Sequence, residues 1–288
     1  MAVGKEIRTK IKSVQNTQKI TRAMQMVATS KMRKTQDRMR AARPYAEKVR
    51  QVMAHLAQTN PDAENPLLKK RDEIKRVGII LVTSDKGLAG GLNANLIRQF
   101  IAKSLEFNEA GIGVDVCAIG QKGLAAAQRL KMNVTASAIH LGDTPQMDKL
   151  IGPLTTMGKA YADGTIDALY IVYTRFVNTM KQEPTLEQLL PISTDKMVVE
   201  HPYSWEYLFE PDVGSVVDFL VRRYFESVVY QAVAENMASE QAARMVAMKA
   251  ATDNAASLID SLKLTYNKAR QAAITTELSE IVSGAAAV

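Results

Sequence analysis

Ser215–Ser283, SVVDFLVRRYFESVVYQAVAENMASEQAARMVAMKAATDNAASLIDSLKLTYNKARQAAITTELSEIVS, runs for 69 residues without a glycine or a proline. As a single helix it spans on the order of 100 Å, several times the mean helix length. Such a helix cannot fit inside a compact domain built from 288 residues, so something else must cover it. The other end of the chain has the same character, since Lys5–Arg43 also lacks glycine and proline. The two ends predict a long antiparallel two-helix coiled coil, with an ordinary globular sequence between them as a small body.

Periodicity supports the pairing. The C-terminal stretch carries Val213, Val217, Leu220, Tyr224 and Val228 on one stripe. Gln241, Met245, Met248, Thr252, Ala255, Ile259, Leu262, Tyr266, Ala269 and Ala273 then follow in alternating steps of four and three. That 3.5-residue repeat is the pattern of a left-handed coiled coil. Several of these positions are small or polar, so the coil is not built for maximum stability. At the N-terminus Ile7, Ile11 and Val14 are followed by Ile20, Met24 and Val27, and the stripe slips by one position between the two groups. This predicts packing that is not a strict heptad. Pro44 removes a backbone donor and predicts a kink or a restart, after which Tyr45, Val49, Val52 and Leu56 resume the period. Thr59–Pro66 (TNPDAENP) reads as a stop.

Between the ends the period changes. Val77–Thr83 reads as a strand, Leu92–Phe107 as a helix, Gly113–Ile119 as a strand and Lys122–Leu130 as a short helix. Val134–Ile139 reads as a third strand, Gln146–Ala162 as an amphipathic helix and Ala168–Val177 as a further strand. Thr185–Ile192 fits either a strand or a short helix. Alternating strands and helices imply an α/β body with a doubly wound, mostly parallel sheet covered on both faces. The expected division is 1–58 as N-terminal coiled-coil helix, 74–200 as central α/β domain and 212–288 as C-terminal coiled-coil helix. Tyr203, Trp205, Tyr207 and Phe209 read as a hinge, with Asp212 near the N-cap of the last helix.

Charge is unevenly placed. Residues 1–50 hold 14 Lys/Arg against 3 Asp/Glu, a local net of +11, within a chain whose total is +7. The basic arm needs an acidic partner: nucleic acid, anionic lipid or acidic protein loops. Lys5–Arg40 has no aromatic residue and a methionine-rich stripe (Met24, Met26, Met32, Met39), which is unlike a nucleic-acid reader. Contact with acidic protein loops fits the rod geometry better, although a plain solvated basic helix remains an alternative. No run approaches 18 consecutive apolar residues, and no secretory signal precedes Glu6 and Ile7. The basic helix is read as mature structure rather than an import peptide, because its pattern continues too far. Cys117 alone cannot form a disulfide framework and points to a reducing compartment.

Chemistry is hard to find. Ser84–Gly91 (SDKGLAGG) follows the first strand and precedes a helix, where α/β folds bind phosphates, but it matches neither the dinucleotide fingerprint nor the P-loop. It reads as a tight structural turn. His55, His140 and His201 are far apart, without metal-ligand spacing, and no nucleophile–base set is visible. The expectation is a chain with no active site, metal or cofactor of its own.

Two motifs now carry a resemblance. IRTKIKSVQNTQKITRAMQMVATSKMRK from Ile7 and ATDNAASLIDSLKLTYNKARQAAITTELSEIVSGAAAV at the C-terminus resemble the terminal helices of the gamma subunit of F-type ATP synthases. SDKGLAGGLN at Ser84–Asn93 and PTLEQLLPI at Pro184–Ile192 fit that family's central domain. The loop carries Lys86 and Ala89 where the family often has arginine and cysteine. The regulatory cysteine pair of chloroplast relatives is missing, so thiol control of rotation is not expected and a bacterial origin is favoured.

The resemblance implies a non-catalytic central rotor shaft, one copy per complex, coupling proton flow through the membrane c ring to nucleotide chemistry in a hexamer of alpha and beta subunits. Implied partners are that hexamer, the epsilon subunit and the c ring, with no nucleic acid. The implied location is peripheral, on the cytoplasmic face of the bacterial inner membrane. Position within the motifs implies beta-subunit contact by Arg270, Gln271, Thr275 and Glu277 at a catch loop. Met24, flanked by Lys19, Arg22 and Lys31, and Arg244 on the facing helix are implied at acidic lever loops. Tyr207 and Glu210 fall at the c ring, and Ile274, Leu278, Ile281 and Val282 in an apolar sleeve. The other reading of each is an inconsequential coiled-coil surface position. For the seam methionines packing filler is the better account, and for Arg270 and Gln271 contact is. The competing function is a basic coiled-coil nucleic-acid-binding protein.

Overall fold

The computed structural model describes residues 2–59, 71, 73–192, 210 and 213–286. The expected hinge at Tyr203, Trp205, Tyr207 and Phe209, the Asp212 cap and most of the Thr59–Pro66 stop lie outside the described residues. By contacts the chain forms two compact units, one of residues 1–29 with 244–288 and one of residues 30–243.

The larger unit is built on a five-stranded sheet. Its strands are β1 (Arg76–Val82), β2 (Gly113–Ile119), β3 (Asn133–Ala138), β4 (Ala168–Phe176) and β5 (Gln182–Leu190). The spatial order is β3-β2-β1-β4-β5. β1 pairs in parallel with β2 and β4, β2 in parallel with β3, and β5 closes the sheet antiparallel to β4. The ambiguous segment Thr185–Ile192 therefore lies largely in a strand. Pro184 is tolerated there because an edge strand has one row of amides without ladder partners.

Alternation decides which helix covers which face. Ile79 and Leu81 of β1, with Val116 and Val172, pack against Leu96 and Phe100 of α2 (Leu92–Glu109) and Ala127 of α3 (Gln121–Arg129). Ile80 and Val82, pointing the other way, meet Leu150, Leu154 and Met157 of α4 (Met147–Ala162). The same face is covered further by Val49 and Met53 of α1 (Ala2–Thr59) and by Val221, Val228 and Val229 of α5 (Val213–Ala286). The sheet is thus covered on both faces, the long helices serving where a doubly wound fold would use another crossover helix.

α1 runs unbroken through Pro44, so no restart occurs. Burial of Met39, Ala46 and Val49 on either side holds the helix across the residue that removes one of its hydrogen bonds. The predicted slip of the N-terminal stripe is also overturned. The inward positions in the smaller unit are Ile7, Ile11, Val14, Gln18, Thr21, Gln25 and Ala28, in unbroken steps of four and three. Ile20 and Val27 face outward, 59% and 54% exposed. The heptad passes through polar and small residues that a search for apolar periodicity skips.

On α5 the inward positions Met248, Thr252, Ala255, Ile259, Leu262, Tyr266, Ala269 and Ala273 coincide with the 3.5-residue repeat. The hydroxyls of Thr21 and Thr252 lie 2.8 Å apart across the pair and fix its register.

Gly120 allows α3 to start close to β1. It has φ 96°, and a Cβ there would lie 2.3 Å from the carbonyl oxygen of Thr83. Gly120→Ala is expected to lower stability by on the order of 2–3 kcal/mol, measured by denaturant unfolding of the full chain.

Candidate partner-contact surface

The loop where this architecture usually takes a phosphate is occupied by the protein itself. The Asp85 carboxylate accepts the amides of Gln121 (3.1 Å), His140 (3.1 Å) and Leu141 (3.0 Å). The Ser84 carbonyl accepts Lys122 N, and the Thr83 hydroxyl oxygen accepts Gly123 N at 2.7 Å. The first amides of α3, which form the anion-binding end of a helix, are consumed by β1's own loop. Asn93 closes the turn by donating to Ser84 Oγ at 2.7 Å. A structural turn is what these bonds build.

Among the described residues no group of three His, Cys, Asp or Glu could hold a metal. Cys117 is buried on the sheet, and desolvation pushes its thiol up to about 12. The thiolate, the reactive form, is therefore suppressed.

The exposed helix surface is a different matter. On α1 in the smaller unit Lys5, Arg8, Lys12, Lys19 and Arg22 all face solvent, and Lys10 is paired locally to Glu6. Between these cations stand Ile20, Met26 and Val27 on α1, and Leu258 and Leu264 on α5, each about half exposed or more. Sequence reasoning missed these outward apolar residues, having placed Ile20 and Val27 in the seam. The signal was available: an unbroken heptad from Ile7 leaves both outside it. Cations interleaved with apolar side chains on an exposed helix mark a surface meant to be covered.

The implied contact residues are distributed as follows. Met24 is half-buried beside the seam, with Lys19 and Arg22 exposed around it. Arg244 is buried, 9% exposed, and engaged within the chain. In the larger unit Lys31 pairs with Asp143 at 2.7 Å, so its charge is partly committed internally. Arg270, Gln271, Thr275 and Glu277 are all exposed, Thr275 donating only to the Gln271 carbonyl of its own helix. Ile274, Leu278, Ile281 and Val282 are 48%, 57%, 67% and 66% exposed and share one helix face at i, i+4, i+7 and i+8. The antiparallel register set by Thr21 and Thr252 brings the start of α1 opposite Gln271, so this apolar face lies past the end of its helical partner. Glu210 is exposed, and Tyr207 lies outside the described residues.

These features define a class: a paired-helix subunit with an α/β body that acts through contact with other chains. A family model described as ATP synthase matches residues 4–288. An ATP synthase gamma chain of Chromobacterium violaceum is 73% identical over 288 residues, covering all of both chains. One of Neisseria meningitidis serogroup C is 63% identical over 291 residues, again covering all of both. The chain belongs to the ATP synthase family, among its gamma chains. The central stalk and c-ring structure of the Tetrahymena thermophila mitochondrial ATP synthase contains a chain 25% identical, with a TM-score of 0.61, over 81% of this chain and 99% of that one. A Euglena gracilis mitochondrial ATP synthase structure in rotational state 3 contains one of the same fold, with a TM-score of 0.71 at 22% identity, over 99% of this chain and 94% of that one. None of these relatives supports the nucleic-acid reading. Among the described residues, no helix is long and apolar enough to cross a membrane.

Two outcomes follow from the site. Asp85→Ala, which strands three amides, is expected to cost about 2 kcal/mol in denaturant unfolding, and Asp85→Asn less, because one acceptor oxygen remains. Cys117 is expected to resist maleimide in the folded chain and react at once in denaturant. Its raised pKa also sets a sign: the unfolded thiol ionises near its ordinary 9.0 and the folded one near 12. Stability from this group is therefore full below about pH 9 and is lost as pH rises toward 12.

Proposed function

We propose that this chain is the central rotor shaft of an F-type ATP synthase, with no active site of its own. One copy stands in a hexamer of alternating alpha and beta subunits, and nucleotide chemistry belongs to that hexamer. Residues 1–58 and 212–288 are the shaft. Residues 74–200 are the body, resting on the epsilon subunit and the c ring at the cytoplasmic face of the bacterial inner membrane. Proton flow turns the ring and the shaft with it.

The observation that carries this reading is the exposed surface of the paired helices, on which cations and apolar side chains lie outside a complete seam. A shaft alters a surrounding site only through contacts that differ between orientations, which is the requirement for any coupling. Charge on this pair is concentrated in α1, with 14 Lys/Arg against 3 Asp/Glu in residues 1–50, so its two sides are electrostatically unlike. Met24, with Lys19 and Arg22 around it, meets acidic lever loops of beta, whereas Arg244, buried and engaged within the chain, is left out of that contact. Arg270, Gln271, Thr275 and Glu277 meet a catch loop. Ile274, Leu278, Ile281 and Val282 ride in an apolar sleeve, where burying each side chain contributes roughly 1.5–3 kcal/mol. Tyr207 and Glu210 contact the c ring.

Co-purification of the tagged chain with a nucleotide-hydrolysing hexamer tests the assignment, and salt-sensitive DNA binding without a hexamer would reverse it. Met24→Lys adds a cation beside the lever loops and is expected to impair coupling more than assembly. In membranes, ATP-driven proton pumping should fall further than ATP hydrolysis, whereas equal losses would remove Met24 from the coupling surface.

A further inference from the structure

We propose that Glu235 is a positioning residue that locks α5 in register against α1 and the end of β4, and that this lock carries torque between the sheet and the two long helices. The inference rests on the rotor reading and adds where the load is borne.

Glu235 lies in the first third of α5 with its side chain 2% exposed. It accepts hydrogen bonds from three elements. Arg43 Nη2 of α1 approaches Oε1 at 3.2 Å, Gln231 Nε2 of α5 donates to the same oxygen at 3.1 Å, and the backbone amide of Phe176, the last residue of β4, donates to Oε2 at 3.3 Å. One turn further along α5, Ser239 Oγ donates to the Thr174 carbonyl at 3.2 Å. Four helical residues rise about 6 Å and two strand residues about 6.7 Å, so the two bonds stitch α5 along β4 with matched spacing.

The surroundings explain why such a device is needed. The apolar contacts beside Glu235 are Met39, Ala234 and Ala238, with Phe176 packed on them. Alanines let helices approach closely but present low ridges, and apolar contact has no preferred direction, so this packing offers little resistance to sliding. Directional bonds to a buried carboxylate resist it. A buried ion pair adds little net stability over an apolar replacement, and its best-attested use is to fix register.

A second clasp lies one heptad along α1. Arg50 reaches Glu187 of β5 at 3.3 Å, and the Tyr173 hydroxyl of β4 donates to the same carboxylate at 2.8 Å. Burial first, then the Glu187 and Glu235 carboxylates, pushes the Tyr173 phenol far above its ordinary range, so it stays a donor. Both arginines extend from α1, so the two clasps hold one helix to α5 and to the β4–β5 edge of the sheet.

The test uses the assembled complex carrying Glu235→Gln, Arg43→Met or both. Unloaded ATP hydrolysis is compared with ATP synthesis against a proton gradient, each per assembled complex. Hydrolysis is expected within about twofold of the unmodified complex and synthesis at least about fivefold lower, with the double variant no worse than the more affected single, as for residues acting as one unit. Unchanged synthesis in all variants, or equal loss of both activities, overturns the proposal. Arg43 is 40% exposed, so Arg43→Met carries the test where Glu235→Gln does not assemble. Failure of every variant to assemble assigns the residues to folding and also overturns it. The rotor reading fails separately, if the unmodified chain does not co-purify with the hexamer.

Discussion

Two very long helices have to bury one stripe of side chains each, and the rest of the molecule depends on how they do so. Alone in water, a helix of 58 or 74 residues has little tertiary packing to hold it. Pairing supplies that packing. In the larger unit the inward positions of α1 include Met39, Ala46, Val49 and Met53, all buried, and the sheet adds a third surface. In the smaller unit the pair has only itself, and its seam contains Gln18, Thr21, Gln25 and Thr252. A seam this polar gives up apolar burial and gains a defined register, with the Thr21–Thr252 contact as its marker.

The weak seam and the apolar exterior belong together. Ile20, Met26, Val27, Leu258 and Leu264 are apolar side chains that a self-sufficient coiled coil would place inside. Turned outward among lysines and arginines, they leave apolar area on the exterior of the pair that its own seam does not bury.

The body turns the polar groups of its first loop onto its own backbone. Its doubly wound topology places helix N-termini at the carboxyl ends of the strands, the usual anion-binding position. Asp85, Ser84 and Thr83 spend those amides on joining three loops. The same economy of polar groups recurs where α5 crosses β4, with Glu235 and Ser239 bonded to main-chain atoms of the sheet.

The sequence alone determined what local pattern can encode. Freedom from glycine and proline predicted the long helices, runs such as Val77–Thr83 predicted the strands, and the +11 charge of residues 1–50 set one arm apart from the rest of the chain. The 3.5-residue repeat from Gln241 to Ala273 predicted the α5 seam because its apolar members are dense enough to show the period. The α1 seam escaped the same search, since Thr21 is buried, and Gln18 and Gln25 half-buried, by the partner helix and not by their own hydrophobicity. Only the tertiary structure decided that Thr185–Leu190 pairs antiparallel at a sheet edge, and that Arg43 and Phe176 converge on Glu235. Such contacts join residues far apart along the chain, and their free energy depends on a geometry that no single window of sequence contains.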